Sequence, residues 1–176
     1  MVQKKKTMKK TAVKRKATGV KRKKALPIPK GYRSITPYLI VNKGVKAIEF
    51  YQKVFGAKVT VCMEYGKGKV AHAELVIGDS MIMLADECLE MKALSPTHFK
   101  GSPMSIHLYV KDVNAVVKRA RAAGAKLIHA VEDKFYGDRN GVIQDPYGYQ
   151  WCVSTHIEDL TPAQIRKRAA ELFDSK

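Results

Sequence analysis

Hydrophobic positions run through the chain in the same order twice. Residues 39–41 make a short apolar run, and Val45, Ile48, Phe50 and Phe55 then gather on one stripe of a predicted helix. Residues 108–110 repeat the run, and Val113, Val116, Val117 and Ala120 repeat the stripe. The copies are offset by 69 residues at the strand and by 68 at the glycine that ends each helix, Gly56 and Gly124. A glycine there supplies the left-handed conformation in which helices commonly close. Runs with strand character follow, at 59–65, 70–77 and 81–85 in the first copy and 127–132, 141–144 and 149–155 in the second. Gly66 to Gly68 and Gly78-Asp79 break the first set, while Asn140-Gly141 and residues 145–148 supply turns for the second. Each copy therefore predicts β-α-β-β-β. A final helix is expected over 161–173, where Thr161, Pro162 and Gln164 have the spacing of a capping box.

The N-terminal 30 residues break this pattern. They hold 13 of the 33 basic residues and no acid, so the net charge of +17 divides into +13 there and +4 over 31–176. Such a stretch buries too little apolar surface to offset its ordering entropy, and like charges keep it extended. The expectation is a disordered, lysine-rich tail over 1–30 that closes at Pro27 and Pro29, followed by one α+β domain over 31–176 with modules at 35–86 and 104–155. Lys4, Lys5, Lys6, Lys9, Lys10, Lys14, Arg15, Lys16, Lys21, Arg22, Lys23 and Lys24 are the candidate contacts to DNA or RNA. No aromatic residue occurs in 1–26, so binding there would be electrostatic and blind to sequence. The bland alternative is a solubilising extension.

Cys62, Cys88 and Cys152 form no CxxC pair, which excludes a disulfide framework and a zinc knuckle as expectations. No apolar run approaches the roughly 18–20 residues of a membrane span, and no hydrophobic segment follows the N-terminal charges. A cytoplasmic setting is expected.

The motifs ITPYLIV (35–41), AIEFYQKVFGA (47–57), HAELVIGDSMIMLADE (72–87), GSPMSIHLYVKDV (101–113), FYGDRNG (135–141) and DPYGYQWCVSTHIEDLTP (145–162) together cover most of 31–170. As a set they resemble the vicinal-oxygen-chelate superfamily of glyoxalase, bleomycin-resistance and dioxygenase proteins, and within it a PhnB-like subgroup. The resemblance implies two modules whose sheets curl into a curved mixed sheet around a shared cavity, a homodimer, and in many members a metal with four His, Gln or Glu ligands. Carried over one at a time, those ligand positions fall on Thr36, Met83, Ser105 and Cys152. None is a histidine or a carboxylate, so the usual metal centre is expected to be absent.

Strand alternation sorts the remaining candidates, because i and i+2 share a face. Thr36, Tyr38, Met81, Met83, Ser105, His107, Tyr109, Gln150 and Cys152 are expected to line the cavity, opposite Leu39, Val41, Ile82, Leu84, Ile106, Leu108, Val110, Trp151 and Val153. The ligand is expected to touch Tyr38, His107 and Tyr109, with His107 as the one candidate for proton transfer. Arg139 either clamps an anionic ligand at the rim or pairs with Asp138 to hold the turn. Met81, Met83 and Met104 offer a pliable wall or plain core filling. Cys152 needs a neighbouring base to act as a nucleophile. His98 and His156 show no partner pattern.

The leading expectation is a small-molecule-binding protein with no cofactor. The alternative is a glyoxalase-type lyase, isomerase or dioxygenase using Zn, Ni or Fe at a displaced set, His72, Glu74 and His107. A third reading is a nucleic-acid-associated protein acting through its tail. Deleting residues 1–30 tests the third: retention on DNA-cellulose at low salt should disappear, while the circular dichroism of the remaining domain stays unchanged.

Overall fold

The structure is a computed structural model that describes residues 25–66 and 68–174. The tail as far as residue 24, with all twelve candidate nucleic-acid residues, lies outside the described residues. The first module runs β1 (Tyr38–Val41), α1 (Gly44–Phe55), β2 (Lys58–Tyr65), β3 (Lys69–Ile77) and β4 (Ser80–Asp86). The second runs β5 (Ser105–Tyr109), α2 (Val113–Ala122), β6 (Lys126–Asp133), β7 (Asp138–Gln144) and β8 (Gln150–His156), and α3 (Pro162–Asp174) follows. Each module folds its strands into a four-stranded sheet, in the orders β1-β4-β3-β2 and β5-β8-β7-β6. The first strand of each pairs in parallel with the last, so β1 and β5 are edges.

The two helices belong to one core. α1 buries Ala47, Ile48, Phe50, Tyr51 and Val54, and α2 buries Val113, Val116, Val117 and Ala120. These side chains join Leu39, Val41, Leu75 and Leu84 of the first sheet and Ile143, Trp151 and Val153 of the second in a single cluster. The helices thus form a layer that both sheets share, and the opposite faces of the sheets are left open. At roughly 1.5–3 kcal/mol for each large apolar side chain buried, this common core is what holds the modules as one body.

Polar contacts fix the module junction. Asp145 accepts from the Tyr51 hydroxyl at 2.8 Å, the Trp151 indole at 2.9 Å, and the backbone N–H groups of Tyr147 and Tyr149 at 2.9 Å each. Burial nevertheless dominates and holds its carboxyl above the usual range. The Tyr149 hydroxyl reaches the other module, accepting from Ile40 N at 2.9 Å and donating to Ile40 O at 3.1 Å. A single side chain therefore satisfies two backbone groups of edge strand β1.

Local signals explain most helix ends. Gly56 closes α1 at φ +69°, and Thr161 and Gln164 cap α3 reciprocally. α1 begins differently. Lys43 offers no side-chain cap, and the distant Asp86 accepts from Gly44 N at 2.9 Å and Val70 N at 2.7 Å. A Cβ on Gly44 would stand 2.6 Å from that carboxylate, so the close approach requires glycine.

The expected turn at Asn140-Gly141 is not a turn. β7 starts at Asp138, and Asn140 and Gly141 lie inside it, paired with Ser154 and Val153 of β8. Gly141 is needed because a Cβ would meet Val131 at 2.8 Å. The polar residues that read as a loop are buried and bonded to neighbouring strands.

Asp145→Asn keeps the side chain's size but leaves Trp151 Nε1 facing an amide N–H. It should cost on the order of 2–3 kcal/mol in urea unfolding, more than Tyr51→Phe, which removes one hydrogen bond without stranding a donor.

Candidate functional site

The candidate residues divide between two open faces. On the first sheet, the register sets Tyr38 beside Met83, Met83 beside Glu74 and Glu74 beside Val61. The Tyr38 hydroxyl lies 3.0 Å from His72 Nδ1, and His72 Nε2 lies 3.3 Å from Glu74 Oε1. Tyr32 lies beside the same glutamate, and their interaction raises the phenol's pKa and draws the carboxyl's down. Residues ahead of β1 flank an open groove of about 500 Å³ on this face, with Thr36, Glu74 and Met83 in its lining. Val61 and Met63 are exposed on the same face.

The second sheet presents a polar face. Its rows across the strands are Ser105, Gln150, Gln144 and Lys126, then His107, Cys152, Val142 and His129, then Tyr109, Ser154, Asn140 and Glu132. The His107 and Tyr109 rings lie 4.8 Å apart. Ser154 Oγ is 2.8 Å from His107 Nε2, and the Asn140 amide donates to Ser154 Oγ at 2.7 Å and to Cys152 Sγ at 2.9 Å. Tyr109 donates to Asp138 at 2.8 Å, and His156 Nδ1 lies 2.7 Å from the other oxygen of that carboxylate. His156 Nε2 also meets Asp159 at 3.1 Å. Asp138, only 3% exposed, is thus held between a phenol and an imidazole. Its hydrogen bond is the main cause raising both pKa values, with Asp159 next for His156.

The sequence reading missed Asn140, Ser154, His156 and Tyr32. A strand starting at Asp138 reveals three of them, because 138, 140 and 142 then share a face with 152, 154 and 156. Tyr32 lies ahead of the first strand and carries no periodic signal. Arg139 does not make the expected pair with Asp138. It lies one residue out of phase with Asp138, opposite Thr155, and pairs with Asp133 at 2.6 Å. Met81 is buried, Met83 is half-buried on the first face, and Met104 is exposed.

Between the modules the chain encloses a cavity of about 760 Å³, bounded by Ile35, Phe55, Met81, Ile106 and Trp151. His107 and Tyr109 reach it from edge strand β5, but Tyr38, Met83, Ser105, Gln150 and Cys152 do not. The alternative metal set is likewise divided, with His72 and Glu74 on one face and His107 on the other. Among the described residues, no group of three or more His, Cys, Asp or Glu side chains is placed to hold a metal ion. Thr36, Met83, Ser105 and Cys152, two hydroxyls, a thioether and a thiol, do not fit the hard divalent ion that the family's usual centre holds.

Two outward faces on paired βαβββ modules match known proteins. A sequence profile for the glyoxalase/bleomycin resistance protein/dioxygenase superfamily matches residues 34–153. The chain belongs to that superfamily. An uncharacterized protein of Mycobacterium tuberculosis is 37% identical over 136 residues, which are 76% of this chain and 80% of the relative. Among solved structures, the PhnB protein of Bacillus cereus superposes with a TM-score of 0.56 at 18% identity, covering 70% of this chain and 99% of its own. TioX from Micromonospora sp. ML1 gives 0.54 at 23% identity, covering 70% and 98%. At those identities the likeness carries the fold alone. No helix among the described residues is long and apolar enough to cross a membrane.

The His156 contacts have a pH signature. Its folded pKa lies above the ordinary 6.5, so the stabilisation is complete below that value and is lost as pH rises through the raised one. Melting temperatures of the wild type should fall over that window relative to His156→Gln, whose pH profile should lack the step.

Proposed function

We propose that the protein binds a small organic molecule across a homodimer, between the first-sheet face of one copy and the second-sheet face of the other, without its family's usual metal. The observation that carries this reading is the division of the candidate residues. Tyr38, His72, Glu74 and Met83 lie on one outward face and Ser105, His107, Tyr109, Gln150 and Cys152 on another. A single chain leaves both open, with Tyr38 47% and Tyr109 61% exposed. Two copies related by a twofold axis would create two equivalent cavities, each with one apolar and one polar wall. Such walls suit an amphipathic ligand.

The metal-dependent lyase, isomerase or dioxygenase reading rests on the His72–Glu74 pair. Tyr38 and Glu74 contact both nitrogens of that histidine, which favours a hydrogen-bonded pair over a cation ligand.

Mixed dimers test the proposal with 1-anilinonaphthalene-8-sulfonate as an amphipathic probe. Tyr38→Ala/Met83→Ala spoils the first face, and His107→Ala/Tyr109→Ala spoils the second. Each double variant alone should lose probe binding, and an equal mixture should recover it, because the heterodimer rebuilds one intact cavity. A monomer by light scattering, or no recovery on mixing, overturns the shared cavity. A near-stoichiometric metal that is lost in His72→Ala overturns the metal-free reading.

A further inference from the structure

The hydrogen bonds behind His107 define which of its nitrogens carries the proton. The chain of donors starts at Asn140. Its side-chain nitrogen lies 3.3 Å from the Val153 carbonyl, a group that only accepts, which fixes the amide with its NH₂ on this side. The same NH₂ donates to Ser154 Oγ at 2.7 Å and has no capacity to accept in return. Ser154 is fully buried, so its own hydrogen needs a partner within the protein. Besides that amide, the hydroxyl's one hydrogen-bonding contact among the described residues is His107 Nε2, at 2.8 Å. The serine must therefore donate and Nε2 must accept. A neutral imidazole that accepts at Nε2 carries its hydrogen on Nδ1. No partner for Nδ1 occurs among the described residues, and the His107 side chain is exposed on the open face of the second sheet.

Tyr109 is oriented by the same logic. Its hydroxyl hydrogen is committed to the Asp138 carboxylate, which can only accept. The neighbouring phenol therefore donates nothing outward, and of these two tilted rings His107 alone offers a hydrogen-bond donor.

We infer that Asn140 and Ser154 are positioning residues that lock His107 as its Nδ1–H tautomer, making it a dedicated hydrogen-bond donor to an oxygen acceptor, a carboxylate or carbonyl, on the bound molecule. This rests on the small-molecule reading above and names the chemistry that the polar wall recognises. It also separates His107 from metal ligation and from base catalysis at Nε2, because that lone pair is occupied by a buried hydroxyl. No covalent step is involved. The selection is for acceptor over donor groups, and it costs no reorganisation when the ligand arrives.

Side-chain 15N spectra of the full-length protein at about pH 8.5, without ligand, read the tautomer directly. A pyrrole-type signal at His107 Nδ1 and a pyridine-type signal at Nε2 are expected, and the reverse pattern overturns the inference. Ser154→Ala should release the lock and give a mixture. Asn140→Asp replaces the donor with an acceptor, takes the serine hydrogen, and should turn His107 to the Nε2–H form. A variant that merely loosens packing would not reverse the tautomer. If both variants retain pure Nδ1–H, the lock does not exist.

Benzoate and benzylammonium then probe the ligand class, sharing a ring and differing in the polar group. Benzoate should bind saturably and perturb the Nδ1 resonance, and Ser154→Ala should weaken it roughly tenfold, the equivalent of one charge-assisted hydrogen bond. Equal or tighter binding of benzylammonium overturns the acceptor class. Binding of neither overturns the small-molecule reading and, with it, the assignment of His107 to a ligand. The tautomer is read on ligand-free protein, so the two failures are told apart.

Discussion

Asp145 sits in the turn between β7 and β8, yet its two oxygens collect the Tyr51 hydroxyl from the other module, the Trp151 indole and two backbone N–H groups of its own turn. Four donors around one buried carboxylate oppose a desolvation cost of several kcal/mol, and the carboxyl's raised pKa shows that burial still outweighs them. The geometry matters more than the net energy. Tyr51 stands among Phe50, Phe55, Tyr147 and Trp151, whose rings approach to between 4.5 and 6.1 Å. The carboxylate sets the orientation of this aromatic layer, and Tyr149 carries the same turn across to the backbone of β1.

Joining the modules through their helices determines where chemistry can occur. A βαβββ unit covers one face of its sheet with its helix and leaves the other face bare. When both helices enter one core, both bare faces turn outward. The apolar residues Val61, Met63 and Met83 then share one surface with Tyr38 and His72, while the second sheet offers histidines, glutamine, serine and asparagine. Neither face encloses a ligand alone, so the site depends on what approaches from outside. The 760 Å³ cavity between the modules is built from different walls and meets the candidate set at Met81, His107 and Tyr109.

The second face carries more order than an open surface needs. Asp138, Asn140 and Ser154 are buried, and their hydrogen bonds form two chains ending at His107 and at His156. Buried polar groups are tolerated when every donor and acceptor is met, and a fully met network holds its members in one orientation. Here the orientation belongs to two exposed rings, His107 and Tyr109, which any molecule on this face would encounter first.

The repeat, the helix-ending glycines, the capping box and the alternation of faces were all legible in the residues themselves, since each depends on groups a few positions apart. Alternation also placed Tyr38, Met83, His107 and Cys152 opposite the core without knowledge of the fold. It failed at Asp138 and Asn140, where polar side chains inside a strand read as a loop because their partners, Tyr109, His156 and Ser154, are 14–29 residues away. Arg139, read as part of the same loop, pairs with Asp133 of β6 rather than with Asp138, a contact that depends on the β6–β7 register. The periodic pattern determined two modules and which side of each strand meets water. Only the tertiary structure decided that the helices would share one core, because that depends on Asp145 and Tyr149 meeting groups from a module more than 90 residues back.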